Sequence, residues 1–277
     1  MSYQGNKNNY STIICNIIRS YGGHEDHDLD FWDICCGSGQ VSSYWPRPSN
    51  MVDIGPWGRF WSALAARPLT IDGIIGTLKG KTHAQILQLM HMAKLQPVPE
   101  SDYLFALHFI VLQTFAFNGK PVETHGSTWK HPGFPPNPSL KTLYAELTRI
   151  KNTTVAQAIH GNGNEVFVSR RSKIYIDPDY KGTQGYGHTD CPRRGRINHT
   201  FDVAAFVARH PHCHVFVSHH EPIELPNVNW TEIKDITIPG LRRKKQSTEL
   251  LHIMRATNDS SSVESPRVPE PVVSQGV

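Results

Sequence analysis

In Ile176-Asp177-Pro178-Asp179-Tyr180 a carboxylate, a proline and an aromatic ring sit side by side, at the end of a short apolar run with Ile174 and Tyr175. β-Forming residues that run into Asp-Pro mark a strand that stops where proline has no N–H to give to a ladder. In open α/β sheets, ligands are bound beyond the carboxyl ends of the strands. An acid placed there can accept N–H bonds from a planar amino-heterocycle while a ring stacks on its face. Taken alone the motif is a weak signal, because turns of this composition are frequent.

A second constellation lies near the start of the chain. Asp30-Phe31-Trp32-Asp33-Ile34-Cys35-Cys36 reads as a buried strand closed by Gly37-Ser38-Gly39. Glycines after a strand let the backbone approach a ligand closely, and a following helix offers N–H groups to it. A tight strand-to-helix turn gives the same letters. Asn50-Met51-Val52-Asp53-Ile54 then places an acid at the end of a second strand, the arrangement that holds ribose hydroxyls. Asp53 by itself also reads as a solvated strand-end acid; its pairing with the glycine turn points to a nucleoside-type cofactor.

The elements that must position these residues follow from apolar periodicity. Ile13, Ile14, Ile17 and Ile18 have helical spacing, and 71–75 (Ile-Asp-Gly-Ile-Ile) reads as a third short strand. Helices are expected over 82–94 and, capped by Ser101, through Leu104, Leu107 and Ile110 to Phe115, ending at Asn118-Gly119. The segment 120–137, rich in Gly, Pro, Thr and His and containing Trp129 and Lys130, lacks periodicity and reads as a long loop or small irregular insert. A helix capped by Ser139 carries Leu140, Leu143, Leu147 and Ile150 inward. The basic turn Arg170-Arg171-Ser172-Lys173 leads into the strand before Asp177. Beyond Tyr180, 181–198 is a glycine-rich basic segment with Arg193, Arg194 and Arg196, either a mobile cover that meets phosphate or a disordered surface loop. Thr200 is expected to cap a helix through Phe206 and Val207, followed by strands at 215–218 and 248–254.

Composition bounds the function class. The chain has 277 residues, 38% hydrophobic and 19% charged, enough for a sizeable core. Net charge is +4, and the stretch 256–277 carries Asp259, Glu264 and Glu270 against Arg267, so the remainder is more basic than the total. That leans toward polyanions. Arg242-Arg243-Lys244-Lys245 reads alone as a solvated cluster; together with the other basic loops it favours nucleic acid. Five cysteines in no framework spacing favour a reduced, cytoplasmic setting. No run approaches the roughly 18 apolar residues of a membrane span. His210-Pro211-His212-Cys213-His214 and His219-His220 fit no familiar zinc pattern, so no metal is expected, and His24-Glu25-Asp26-His27-Asp28 reads as a polar loop.

In order, these pieces resemble the Dam-like (D12) class of DNA adenine-N6 methyltransferases. Tyr3-Gln4-Gly5-Asn6-Lys7 is similar to the family's Y-x-G-x-K, and Asp33 to Gly39 to its D/E-x-F-x-G-x-G turn. Phe115-Ala116-Phe117-Asn118-Gly119 resembles F-x-F-N-G, Asp177-Pro178-Asp179-Tyr180 stands where the family has D-P-P-Y, and Thr248-Glu249-Leu250-Leu251 resembles its closing strand. Two positions depart: Cys35 stands where the family has phenylalanine, and Asp179 puts an extra carboxylate where it has a second proline. The resemblance implies a Rossmann-like α/β methyltransferase fold, a mostly parallel sheet with helices on both faces. It implies a catalytic domain over 1–118 and 152–255, a small target-recognition insert at 119–151, and a disordered tail at 256–277. It further implies S-adenosylmethionine held by Tyr3, Gly5, Lys7, Asp33, Cys36, Gly37, Gly39, Asp53 and Asp177, with Asp177, Pro178 and Tyr180 gripping an adenine flipped out of double-stranded DNA. Asn118, Lys120, Trp129, Lys130, Arg193, Arg194, Arg196, Arg242, Arg243, Lys244 and Lys245 are the expected nucleic-acid contacts. The setting it implies is a bacterial cell or phage-infected host.

Overall fold

The computed structural model describes residues 7, 9–67, 69–116, 120, 122–131, 133, 139–178, 201–219, 222–225, 228–236 and 249–257. Residues 1–6, Asn118, Asp179, Tyr180, the arginines at 193, 194 and 196, the basic run 242–245 and the tail beyond 257 lie outside the described residues.

Seven strands form one sheet: β1 (Asp30–Ile34), β2 (Ser49–Asp53), β5 (Val155–His160), β6 (Ser172–Ile176), β7 (His214–His219), β8 (Glu232–Ile236) and β9 (Glu249–Met254). Their spatial order is β5-β2-β1-β6-β7-β9-β8. Pairings from β5 to β7 are parallel, whereas β9 runs antiparallel to both β7 and β8. Such an order, with one reversed strand inserted second from the edge, is that of the Rossmann-like α/β methyltransferase fold. Its two faces follow from the alternation of side chains along a strand. Phe31, Tyr175, Phe216, Leu251 and Ile253 pack on one side with Ile14 and Ile18 of α1 (Ser11–Ser20). Ile34, Ile174, Ile176, Val215 and Val217 pack on the other with Phe206 and Val207 of α7 (Val203–Arg209). The α7 cap is Asp202, which accepts the Ala205 N–H at 2.9 Å, and not the expected Thr200.

Between β2 and β5 the chain builds a helical unit: α2 (Pro56–Ala66), α3 (Leu69–Leu78), α4 (His83–Leu95), α5 (Asp102–Thr114), a hairpin of β3 (Glu123–His125) and β4 (Thr128–Lys130), and α6 (Leu140–Asn152). The third strand expected at 71–75 is part of α3: Ile71, Ile74 and Leu78 recur at helical spacing and are all buried in one cluster. The true third strand of the parallel series is β5, an edge strand with only partial cover. Thr82 caps α4 through a reciprocal pair with Gln85. Ser101 and Ser139 occupy the N-cap positions of α5 and α6 without a side-chain cap bond.

Within 120–137 the described residues include the hairpin, where the sequence read as a loop or irregular insert. Trp129, expected to face nucleic acid, is instead buried, its ring stacked 5.4 Å from Phe105 between centroids. It alternates with the exposed Thr128 and Lys130, as a strand with one covered face requires. Val122, Trp129, Leu143, Leu147 and Ile150 share one cluster with Trp57, Trp61 and Phe109. Residues on both sides of positions 119 and 151 thus share one apolar cluster, which also takes in Cys36 and Met51. Among the described residues, no helix is long and apolar enough to cross a membrane.

Candidate functional site

Strand register alone assembles the site. Ile34 at the end of β1 is flanked by Val52 of β2 and Ile176 of β6, so Cys35, Asp53 and Asp177 emerge abreast at the carboxyl edge. Asp177 N–H donates to Ile34 O at 3.2 Å, and Cys36 N–H to Val52 O at 3.0 Å, extending both ladders one step past the strands. This is the topological switch point: the chain leaves β1 toward β2 and β5, then returns on the other side as β6.

The turn between is sharply bent. Cys35, Gly37 and Gly39 have φ of 60°, 48° and 67°. Left-handed backbone is routine for glycine and uncommon for cysteine, so Cys35 marks local strain of the kind that gathers at functional sites. At Gly39 a Cβ would lie 2.5 Å from Met51 Cε and 2.7 Å from Trp61 Cζ2, so no side chain fits. Asp53 fastens the turn: one carboxylate oxygen accepts Gly37 N–H at 2.9 Å, the other Gly55 N–H at 2.7 Å. Burial raises the Asp53 carboxyl above its ordinary range despite those two bonds.

Asp33 is fully buried and receives the Ser42 hydroxyl at 2.7 Å. Burial, helped by the nearby Asp177 and Asp53 charges and opposed by Ser42, pushes its carboxyl up to about 7. Cys36 is buried with its thiol toward Gly37 O, and burial holds that thiol well above its usual value. Pro178 is buried.

Lys7 enters from the chain ahead of α1. Its carbonyl accepts the Tyr10 and Ser11 N–H groups at 2.7 Å and the Ser11 hydroxyl at 2.6 Å, which fixes the side chain's origin. The ammonium lies 3.0 Å from Asp177 Oδ1 and 3.1 Å from Glu249 Oε1. Burial alone would lower the Lys7 pKa, but the two carboxylates outweigh it and hold it above its ordinary value. Glu249 is a site residue that the motif reading located only as part of a strand. It is the first residue of β9, and because β9 is reversed, its start lies at the edge where β1, β2 and β6 end. An acid leading an apolar strand was the only available signal.

Of the residues expected to meet nucleic acid, Lys120 and Lys130 are exposed, Trp129 is in the core, and the others lie outside the described residues, as do Tyr3, Gly5 and Tyr180. The histidine-rich stretch serves the backbone: His210 Nε2 accepts Val168 N–H at 3.0 Å, and His212 Nε2 lies 2.8 Å from Val168 O. Among the described residues, no group of three or more His, Cys, Asp or Glu is arranged to hold a metal ion. Asp26 is not part of a solvated polar loop; it is buried at the opposite edge of the sheet, 2.8 Å from Arg171 and 3.2 Å from His214.

No family model and no curated protein matches the chain. Among solved structures 26 chains match. One is an rRNA methyltransferase, aviRa from Streptomyces viridochromogenes, at 13% identity, over 88% of this chain and 84% of that one, with a TM-score of 0.38.

Proposed function

We propose that the protein is an S-adenosylmethionine-dependent methyltransferase acting on the exocyclic N6 amine of adenine in double-stranded DNA. The observation that carries this reading is the register that sets Asp177-Pro178 beside the Cys35–Gly39 turn and Asp53 at the switch point. Those residues suit the methyl donor. The left-handed turn brings backbone close without side chains, and Asp53, only partly covered, has lone pairs beyond its two N–H bonds for ribose hydroxyls. When bound, the donor supplies an activated methyl on a cationic sulfur. Among the described residues, the carboxylates of Asp53, Asp177 and Glu249, with Asp33 ionising at about 7, outnumber the ammonium of Lys7 that pairs with two of them, which gives this edge a bias toward a cation.

Toward the acceptor, Asp177 and the Pro178 carbonyl each take one N–H of the amine, which turns the nitrogen lone pair toward the methyl. Lys7, bound to Asp177 Oδ1, fixes the orientation of that carboxylate. Rate is then gained mainly from positioning. No strong base is needed, because the amine becomes acidic once methylated, and Asp177 accepts that proton or passes it to water. Tyr180 supplies the stacking face for the flipped base, and Lys120, Lys130, Arg193, Arg194, Arg196 and the run from Arg242 to Lys245 supply phosphate contacts.

The test is nucleoside mass spectrometry of DNA and RNA from cells expressing the wild-type chain or Asp177→Ala. The expected result is N6-methyladenine in DNA with wild type, reduced about 10³-fold or more in the variant, as befits loss of a group that positions the acceptor. Methylation confined to RNA or to another base would reassign the acceptor; none in either would leave a nucleic-acid-binding protein without transfer activity.

A further inference from the structure

The glycine turn is gripped from the side of the inserted helices. Trp61 on α2 donates its indole N–H to Gly37 O at 2.9 Å. Arg149 on α6 donates to Ser38 O at 2.7 Å and to Gly39 O at 3.2 Å. Three consecutive carbonyls of the turn are thus bound by side chains from the helical unit. The same guanidinium pairs with Glu146, one turn earlier on α6 and buried. Because a trans peptide points its N–H opposite to its C=O, tying down the Gly37 and Gly39 carbonyls also sets the directions of the Ser38 and Gln40 N–H groups. Arg149 is mostly covered, and its terminal nitrogens are directed inward, unlike a phosphate-contacting cation on an open face.

We infer that Arg149 is a positioning residue for the cofactor turn, acting through Ser38 and Gly39, and that α6 thereby makes methyl-donor affinity depend on how the helical unit is packed. The cofactor part of this inference rests on the methyl-donor reading above. Arg149→Ala removes both carbonyl bonds and strands Glu146; Arg149→Lys keeps the charge but loses the fork that spans two carbonyls.

Two measurements on the full chain separate the possibilities. The first is amide hydrogen exchange over residues 36–40 in the ligand-free protein, which needs no cofactor. In Arg149→Ala, exchange there should quicken about tenfold, the value of one charge-assisted bond, with Arg149→Lys between it and wild type. The second is calorimetric titration with S-adenosylhomocysteine, alongside steady-state kinetics on DNA. Affinity should fall and donor KM rise about tenfold or more, with kcat within about threefold and DNA affinity unchanged. Unchanged exchange together with unchanged affinity overturns the inference, as does a variant that loses DNA affinity while keeping donor affinity. If wild type binds no S-adenosylhomocysteine, the methyl-donor reading fails, while the exchange result still decides whether Arg149 orders the turn. Should Arg149→Ala not fold, Arg149→Lys and Trp61→Phe carry the test, each expected to show a smaller effect of the same sign.

Discussion

The two ends of the sheet both bury charge, and they do so to opposite purpose. At the amino-terminal edge, Asp26 accepts Gly23 N–H at 3.0 Å and faces Arg171 and His214. His214 Nδ1 accepts Ala256 N–H at 3.3 Å, which leaves the ring proton on Nε2, toward Asp26. Lys173 donates to Ile18 O and Arg19 O at the end of α1, the place where a helix dipole favours a cation. There the one carboxylate is met by Arg171 and His214 and the Lys173 ammonium by main-chain carbonyls, so every partner is the chain itself. At the carboxyl edge Lys7 lies between Asp177 and Glu249, Asp33 feels the charges of Asp177 and Asp53, and burial raises Asp33 and Asp53 above their ordinary range. A cluster whose charges are all met by the chain holds the fold together; an acid-rich one suits the cationic donor proposed above.

The largest test of this contrast is Lys7→Met. Removing the ammonium leaves the buried Glu249 and the partly covered Asp177 carboxylates facing each other, so stability should fall by about 3–5 kcal/mol and transfer activity should be lost. Adding Glu249→Gln to that variant should recover part of the stability, which a two-by-two cycle of urea unfolding would show. A loss below about 1 kcal/mol in the single variant would mean the two acids are not held in tension. At the other edge, Asp26→Asn should cost about 2–4 kcal/mol, because it removes an acceptor from Arg171 and His214. Donor affinity should be unchanged; a shift in it would erase the distinction between the edges.

The smallest effect is in pH dependence, where the edges have opposite signs. Asp26 is held below its ordinary range: burial opposes this, but Gly23 N–H and His214 outweigh it. His214 is pushed down by burial against the pull of Asp26. Both contributions are present at neutral pH and are lost as pH falls. Asp33, raised by burial to about 7, behaves in reverse: the folded chain holds that proton more tightly than the unfolded chain. Its contribution is complete below about pH 4 and disappears as pH rises through about 7. Asp33→Asn cannot ionise and should flatten the decline in stability between about pH 4 and 8, by about 1–3 kcal/mol at the upper end. Thermal unfolding of both proteins across that range measures it, and parallel curves would refute the assignment.

Much of the sheet was legible because its inner strands are apolar runs with abrupt ends: Phe31 to Ile34 before glycines, Ile174 to Ile176 before Asp-Pro, Val215 to Val217. β5 was not, since Val-Ala-Gln-Ala-Ile-His sits at an edge where burial is partial and the pattern correspondingly thin. β8, with Glu232, Lys234 and Asp235 among its five residues, is an edge strand hidden by its charge. Ile71 to Ile75 misled in the other direction. A glycine and an aspartate between isoleucines look like strand punctuation, yet Gly73 lies against Tyr103, where a Cβ would meet the ring at 3.0 Å. Trp129 looked like a nucleic-acid contact because aromatic rings among basic residues suit both an interface and a core, and only the facing Phe105 and Phe109 decide. Asp53 and Asp177 stand at the strand ends that their motifs marked. The places of Glu249 and Arg149 were not legible, because they depend on a strand's direction and on a helix returning from a distant part of the chain.

The pairing of Lys7 with both Asp177 and Glu249 has a consequence for biogenesis. Lys7 and Glu249 stand near opposite ends of the described chain, with Asp177 between them in sequence, so the three charges cannot meet until the segment carrying Glu249 has been made. The ammonium must wait for the reversed strand β9 to emerge and dock between β7 and β8. Such distant closures are slow to form. A nascent or prematurely terminated chain that stops short of Glu249 can carry every motif of the first half and still leave the Lys7–Asp177 pair without its second carboxylate.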